Sequence, residues 1–166
     1  ERIHVVVRDL LDYARPEESP AAIRPARALV SEVIDDALNL VRPQREFKAI
    51  ETKVDLEPDL AVALSPQRLT QVLLNLLLNA GAAISVAASD KTPTVTVRAK
   101  RLEDGVVRIE VEDNGPGVPK DIAPRIFDPF MTTKDVGAGT GLGLAVCRGI
   151  VEGAKGRIFV DADYAD

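Results

Sequence analysis

Tryptophan is absent from the sequence, and aromatic residues make up only 4% of its 166 positions. The core must therefore be aliphatic, and a hydrophobic fraction of 46% is enough to build one. With one cysteine, Cys147, no internal disulfide can form, and a reducing compartment is expected. Basic residues are outnumbered 21 to 26, leaving a net charge of −5. That balance provides no basic face for phosphate neutralisation and argues against nucleic acid as a partner. No apolar run is read as reaching the roughly 18–20 residues of a membrane span, because Asn75 and Asn79 interrupt the best one, Val72–Ala88. Nor is there a leader pattern of basic and then apolar residues. Disordered and collagen-like classes are excluded by composition. The length fits one domain with at most a short appendage, and a start at Glu1 suggests a piece cut from a longer chain.

What is present is a clear alternation of periods. Ile3, Val6, Leu10 and Tyr13 fall at helical spacing, which predicts an amphipathic helix over Glu1–Arg15 that stops before Pro16. Residues 16–25 hold three prolines and read as a linker. A helix is expected from Ser31, as N-cap, to about Val41. Strands are expected at Ile50–Leu56, where Ile50, Thr52, Val54 and Leu56 alternate with charged residues, and at Ala61–Leu64. Ser65-Pro66 is a strong helix start, and that helix should run to Ile84 or as far as Ala88. Thr94–Lys100 and Val106–Glu112 form a hairpin across Asp104-Gly105. After the irregular stretch Asn114–Thr140 come a helix, Leu142–Glu152, and a last strand, Arg157–Asp161. This order predicts an α/β fold, a two-layer sandwich with a mixed sheet covered by helices on one face.

Two features carry chemistry. Gln71, Asn75 and Asn79 stand four apart on the long helix and form one polar stripe beside Leu74 and Leu78. Asparagine competes for backbone hydrogen bonds and is poor inside a helix, so the stripe is either a solvated face or a place for a polar ligand with a hydrated metal. The second feature is a glycine block. Nine of eleven glycines lie between Gly115 and Gly156. Asp113-Asn114-Gly115-Pro116-Gly117 ends a strand, and Gly139-Thr140-Gly141-Leu142-Gly143-Leu144 opens a helix. Glycines at a helix start let backbone N–H groups approach an anion, although glycine-rich stretches also serve as linkers. No P-loop and no dinucleotide fingerprint is present. A loop of this length inside a compact domain, carrying Phe127–Lys134, reads as a lid.

In this order the motifs resemble the ATP-binding catalytic domain of sensor histidine kinases, within the gyrase, chaperone and kinase ATPase superfamily. Gln71–Ala80 looks like the N box, Asp113–Gly117 like the first glycine box, Phe127–Phe130 like the F box and Gly139–Leu144 like the second glycine box. Glu1–Pro16 looks like the end of a dimerisation helix pair of the nitrogen-regulation type. The resemblance implies a Bergerat fold at 26–166, after a dimerisation-helix end at 1–15 and a linker at 16–25. It implies Mg²⁺ held by the Asn79 amide oxygen, with Asn75 ordering phosphates and metal waters and no general base assigned. Asp113 would accept a hydrogen bond from the adenine amino group, while Gly115 and Gly117 allow close approach beneath the base. Ala83, Val118 and Ile126 would wall the adenine. Phe127–Thr140 would be the lid, with Lys134 reaching phosphate, and Gly139, Thr140, Gly141, Leu142, Gly143 and Leu144 would form the phosphate cradle.

The implied activity is transfer of the γ-phosphoryl of ATP to a histidine on a dimerisation helix outside this chain, with a response regulator as partner and a homodimer at full length. A cytoplasmic location is implied, without direct membrane contact, even where the full-length protein is anchored. Gly81-Ala82-Ala83 departs from the family pattern, in which many members carry a basic or aromatic residue, so one phosphate contact is expected to be missing. The family usually adds a closing strand beyond Asp166, so either an incomplete sheet or a disordered end is expected. His4, the only histidine, lacks a following acidic residue and reads as an ordinary surface or interface residue. The alternative is a nucleotide-binding regulatory module of the superfamily, anti-sigma-type or degenerate, without phosphotransfer. Hydrolysing clamps carry a glutamate base where this chain has Asn75, and an amide cannot take a proton from water, which favours the kinase.

Overall fold

A computed structural model describes residues 26–86, 91–132 and 140–161. The helix expected at Glu1–Arg15 with His4, the linker at 16–25 and any extension of the long helix to Ala88 lie outside them. The chain divides into two compact units, one over residues 24–117 and the other holding the described residues from Val118 onward.

In the first unit, strand β1 (Ala28–Leu29) runs directly into helix α1 (Val30–Val41). Leu29, not Ser31, is the N-cap, and no side chain caps the helix. The reason lies in tertiary structure: β1 pairs antiparallel with β3 (Ala61–Val62), and the Val30 N–H donates to the Leu60 carbonyl, so the helix begins where that ladder ends. The expected strand at 61–64 is accordingly only two residues long. Between them lies β2 (Glu51–Leu56). Helix α2 (Pro66–Val86) starts as its sequence dictates, with Ser65 Oγ accepting from the Arg68 N–H at 3.3 Å.

Strands β4 (Thr94–Arg101) and β5 (Val107–Asp113) form the expected hairpin, with Gly105 at a φ of 82° in the turn. The sheet order is β2-β4-β5, with β2 parallel and β5 antiparallel to β4, so the sheet is mixed as expected. Its inner face carries Val95, Val97 and Ala99, which join Ile34, Leu38, Leu73 and Leu77 of the two helices in one aliphatic core. Val54, inward by register, is still 43% exposed because β2 is an edge strand among the described residues. The outer face carries an Arg98–Glu112 ion pair and an Arg108–Glu110 pair at 3.4 Å. Helices thus cover one face of the sheet and charged residues the other.

One expectation needs correcting. By length and composition α2 does qualify as a membrane-crossing helix, despite Asn75 and Asn79. Packing accounts for its apolarity: Leu69, Val72, Leu73, Leu77, Ala80, Gly81 and Ile84 are buried.

The second unit contains a short 3-10 turn at Ala123–Arg125 and helix α3 (Gly143–Gly153). Leu142, Ala145, Val146 and Cys147 are buried, whereas Leu144 and Ile150 are half-buried. Arg157–Asp161 is not a strand: it joins neither of the sheets formed by the described residues, because alternation alone makes no ladder.

Leu77 is 1% exposed and Leu78, next to it, is 39% exposed. Leu77→Ala should therefore cost about 2–5 kcal/mol of stability through the cavity it opens. Leu78→Ala should cost less than about 1 kcal/mol. Urea unfolding of both variants checks the contrast, and equal losses would contradict this placement of the core.

Candidate functional site

The asparagine stripe occupies the margin of α2 between its core face and solvent. Gln71, Asn75 and Asn79 are all half-buried. No buried side-chain nitrogen or oxygen among the described residues lacks a partner. The stripe is thus neither a fully solvated face nor a sealed apolar one, and both readings of it, solvated face and ligand site, stay compatible with this half-buried setting. The stripe continues with the same four-residue step to Ala83.

Ala83 is where α2 meets the end of β5. A Cβ built on Gly115 would stand 3.2 Å from the Ala83 Cβ and 2.6 Å from Asp113 Oδ1. Space, not torsion, requires glycine there, whereas Gly117 adopts a φ of 74° that side chains rarely accept. Asp113 faces the core side of the sheet opposite Val95, and its Oδ1 accepts the Gly115 N–H at 2.9 Å. Burial pushes its carboxyl above the ordinary value of 3.8; the Gly115 N–H pulls the other way and Glu112 adds a smaller upward push. Ala83, Asp113 and Gly115 are thus brought together.

Asn114, read from sequence only as a motif letter, holds this turn in place. Its Oδ1 accepts the Thr94 N–H at 2.9 Å and its Nδ2 donates to the Thr92 carbonyl at 2.8 Å. An asparagine beside a strand end that must turn was the available signal.

In the second unit Val118, Ile126 and Phe127 are half-buried and Phe130 is 68% exposed. Phe130 has a φ of 64°, and a Cβ on Gly141 would lie 2.5 Å from the Phe130 carbonyl carbon. The backbones on either side of 132–140 therefore touch, and Gly141 permits it with a φ of 66°. Arg148 of α3 reaches Asp128 at 3.6 Å and Glu152 at 3.0 Å, tying the Phe127–Phe130 segment to the helix. Thr140 Oγ1 accepts the Leu142 N–H at 3.3 Å just before α3, whose N-cap residue is Leu142. Lys134 and Gly139 lie outside the described residues.

Residues 64–165 match the family described as histidine kinase-, DNA gyrase B-, and HSP90-like ATPases. The chain belongs to this family. It is 37% identical over 166 residues to the sensor histidine kinase ZraS of Klebsiella oxytoca, covering 99% of this chain and 33% of that protein. It is 35% identical to the signal transduction histidine-protein kinase AtoS of Escherichia coli K12, covering 96% of this chain and 25% of that one. Among solved structures, the mycobacterial sensor histidine kinase MprB superposes with a TM-score of 0.73 at 30% identity, covering 86% of this chain and 89% of that one. The catalytic domain of histidine kinase ThkA gives 0.68 at 29%, covering 82% and 86%. The chain spans about a third of the length of the first of these curated relatives. The fold is that of the histidine kinase-like ATPases, and the domain is an ATP-binding one.

Among the described residues no three histidine, cysteine or acidic side chains gather as a metal site. The amide oxygen of Asn79 is a hard donor, and one such donor suits Mg²⁺ that arrives with phosphate and water ligands. The donor set fits a nucleotide-borne ion.

Because the folded-state pKa of Asp113 is raised, the fold penalises its charged form. The penalty is present above that pKa and relieved as the pH falls through it toward 3.8. Asp113→Asn should therefore raise the melting temperature at pH 7, with an advantage that shrinks as the pH approaches 4. Thermal melts of both proteins across that range check it. An asparagine variant less stable at neutral pH would contradict the assignment.

Proposed function

We propose that the chain binds Mg·ATP and is the catalytic module of a sensor histidine kinase, delivering the γ-phosphoryl group to a histidine on a dimerisation helix outside it. The observation that carries this reading is the Asp113 carboxylate, half-buried and fixed by the Gly115 N–H beside Ala83. With Oδ1 so oriented, the carboxylate has acceptor sites left for the adenine 6-amino group. Guanine presents a carbonyl at that position, and two acceptors repel. Gly115 and Gly117 let the backbone approach beneath the base, with Ala83 as an apolar wall.

Asn79 would hold Mg²⁺ by its amide oxygen, Asn75 would order phosphates and metal waters, and the backbone of Gly139–Leu144 with Lys134 would bind the phosphates. Mg²⁺ bound with ATP supplies charge neutralisation on the phosphate oxygens. The acceptor imidazole nitrogen attacks the γ-phosphorus as the bond to the β-phosphate oxygen breaks, and ADP leaves. No general base is needed from this chain, consistent with an amide at Asn75; the protein contributes position.

The domain boundaries 1–15, 16–25 and 26–166, the nitrogen-regulation subtype, the homodimer and the cytoplasmic location belong to the same proposal. A response regulator as partner is supported by ThkA in complex with the response regulator protein TrrA, at a TM-score of 0.66 and 26% identity.

In calorimetry Asp113→Asn should weaken ATP by about 1.5–3 kcal/mol, as for a hydrogen bond to a charged group. GTP should bind the native protein far more weakly than ATP. Asn79→Ala should abolish the enhancement of ATP binding by Mg²⁺. With γ-labelled ATP, label should reach an added acceptor-helix fragment in acid-labile form and not His4. Equal affinity for ATP and GTP, or label lost on His4→Ala, would sink the reading.

A further inference from the structure

Gly81 breaks a local rule, since glycine weakens a helix interior and this one sits in the middle of α2. The structure gives the reason. A Cβ at Gly81 would lie 2.7 Å from Phe47 Cε2 and 3.3 Å from Cδ2 and Cζ, so the ring rests directly on the helix backbone. Phe47 is buried, and its turn is anchored at both ends. The Phe47 N–H donates to the Gln44 carbonyl at 3.0 Å, and the Ile50 N–H to the Phe47 carbonyl at 3.1 Å, one residue before β2. The ring is thus a fixed wedge.

Two residues along a helix turn about 200°, so Gly81 and Ala83 face nearly opposite sides of α2. Ala83 faces Gly115 and Asp113, and Asn79 shares its side. The 79–83 turn is therefore gripped between Phe47 on one side and the end of β5 on the other. At both contacts glycine leaves no slack, because either Cβ would come closer than ordinary packing allows.

We propose that Phe47 is a positioning residue for the nucleotide site: its ring, seated in the notch left by Gly81, sets where Asn79 and Ala83 stand against Asp113 and Gly115. It touches no ligand and acts through α2. The proposal rests on the nucleotide-site reading given above, and it predicts that a substitution favouring helix formation will harm binding.

The test compares the 166-residue chain with Gly81→Ala, Phe47→Leu and the double variant, each at a temperature where circular dichroism shows it folded. Gly81→Ala should weaken ATP at least tenfold. The double variant, with a smaller side chain facing the added methyl, should recover to within about threefold of the native affinity. In NMR spectra the Ala83 methyl and Asn79 amide resonances should shift in Gly81→Ala and return toward native in the double variant. A purely structural role would lower melting temperatures while leaving the affinity of the folded protein unchanged, and that result would overturn the proposal. So would a double variant no better than Gly81→Ala. If the native chain binds no ATP, the functional reading fails, and the two resonances, which need no nucleotide, still decide the role of Phe47.

Discussion

The distance between helix α2 and the end of β5 governs the candidate site in the first unit. Ala83 and Gly115 approach so closely that a Cβ added at Gly115 would stand 3.2 Å from the Ala83 Cβ, tighter than ordinary packing, and 2.6 Å from the Asp113 Oδ1. That approach depends on the aliphatic core beneath it, where Leu73 and Leu77 of α2 join Val95 and Val97 of β4. It depends as well on Asn114, whose two hydrogen bonds to the 92–94 backbone fix the strand end from which Asp113 projects. Packing sets the separation, and hydrogen bonding sets the orientation.

A carboxylate held in such a place works against stability. Burial disfavours its charge, one backbone N–H offsets part of that, and neighbouring Glu112 adds to the strain. A fold selected for stability alone would place a neutral side chain here. Sites built for recognition keep such costs because an unpaired acceptor discriminates strongly between partners that can and cannot donate. Elsewhere among the described residues, by contrast, polar groups are on the surface or paired: no polar residue is fully buried, and the outer face of the sheet carries half-buried ion pairs.

The second unit solves a different problem, that of starting and ending a long connection at one point. The close backbone contact of Phe130 with Gly141 and the link from Arg148 to Asp128 bring the flanks of 132–140 together. The ion pairs are solvent-exposed and weak, so the steric contact, which tolerates only glycine at 141, is the firmer of the two constraints.

Wherever a local rule is sufficient, the sequence itself carried the answer. The Ser65-Pro66 helix start, the Asp104-Gly105 hairpin, the mixed sheet with helices on one face and the family were all legible, because capping, turn chemistry, periodicity and ordered motifs act over a few neighbouring residues. Tertiary structure decided the rest. Ser31 has the right chemistry for a cap, yet α1 begins at Val30 because a two-residue ladder with β3 ends there. Arg157–Asp161 alternates like a strand yet joins neither of the described sheets. Asn75 and Asn79 were legible as a stripe, but their half-buried setting follows from how α2 is rolled against the sheet. The meeting of Ala83 with Gly115, the seat of Phe47 on Gly81 and the raised pKa of Asp113 join residues more than thirty positions apart, or depend on burial. No pattern read along the chain contains those distances, because they arise only when separate elements share one core.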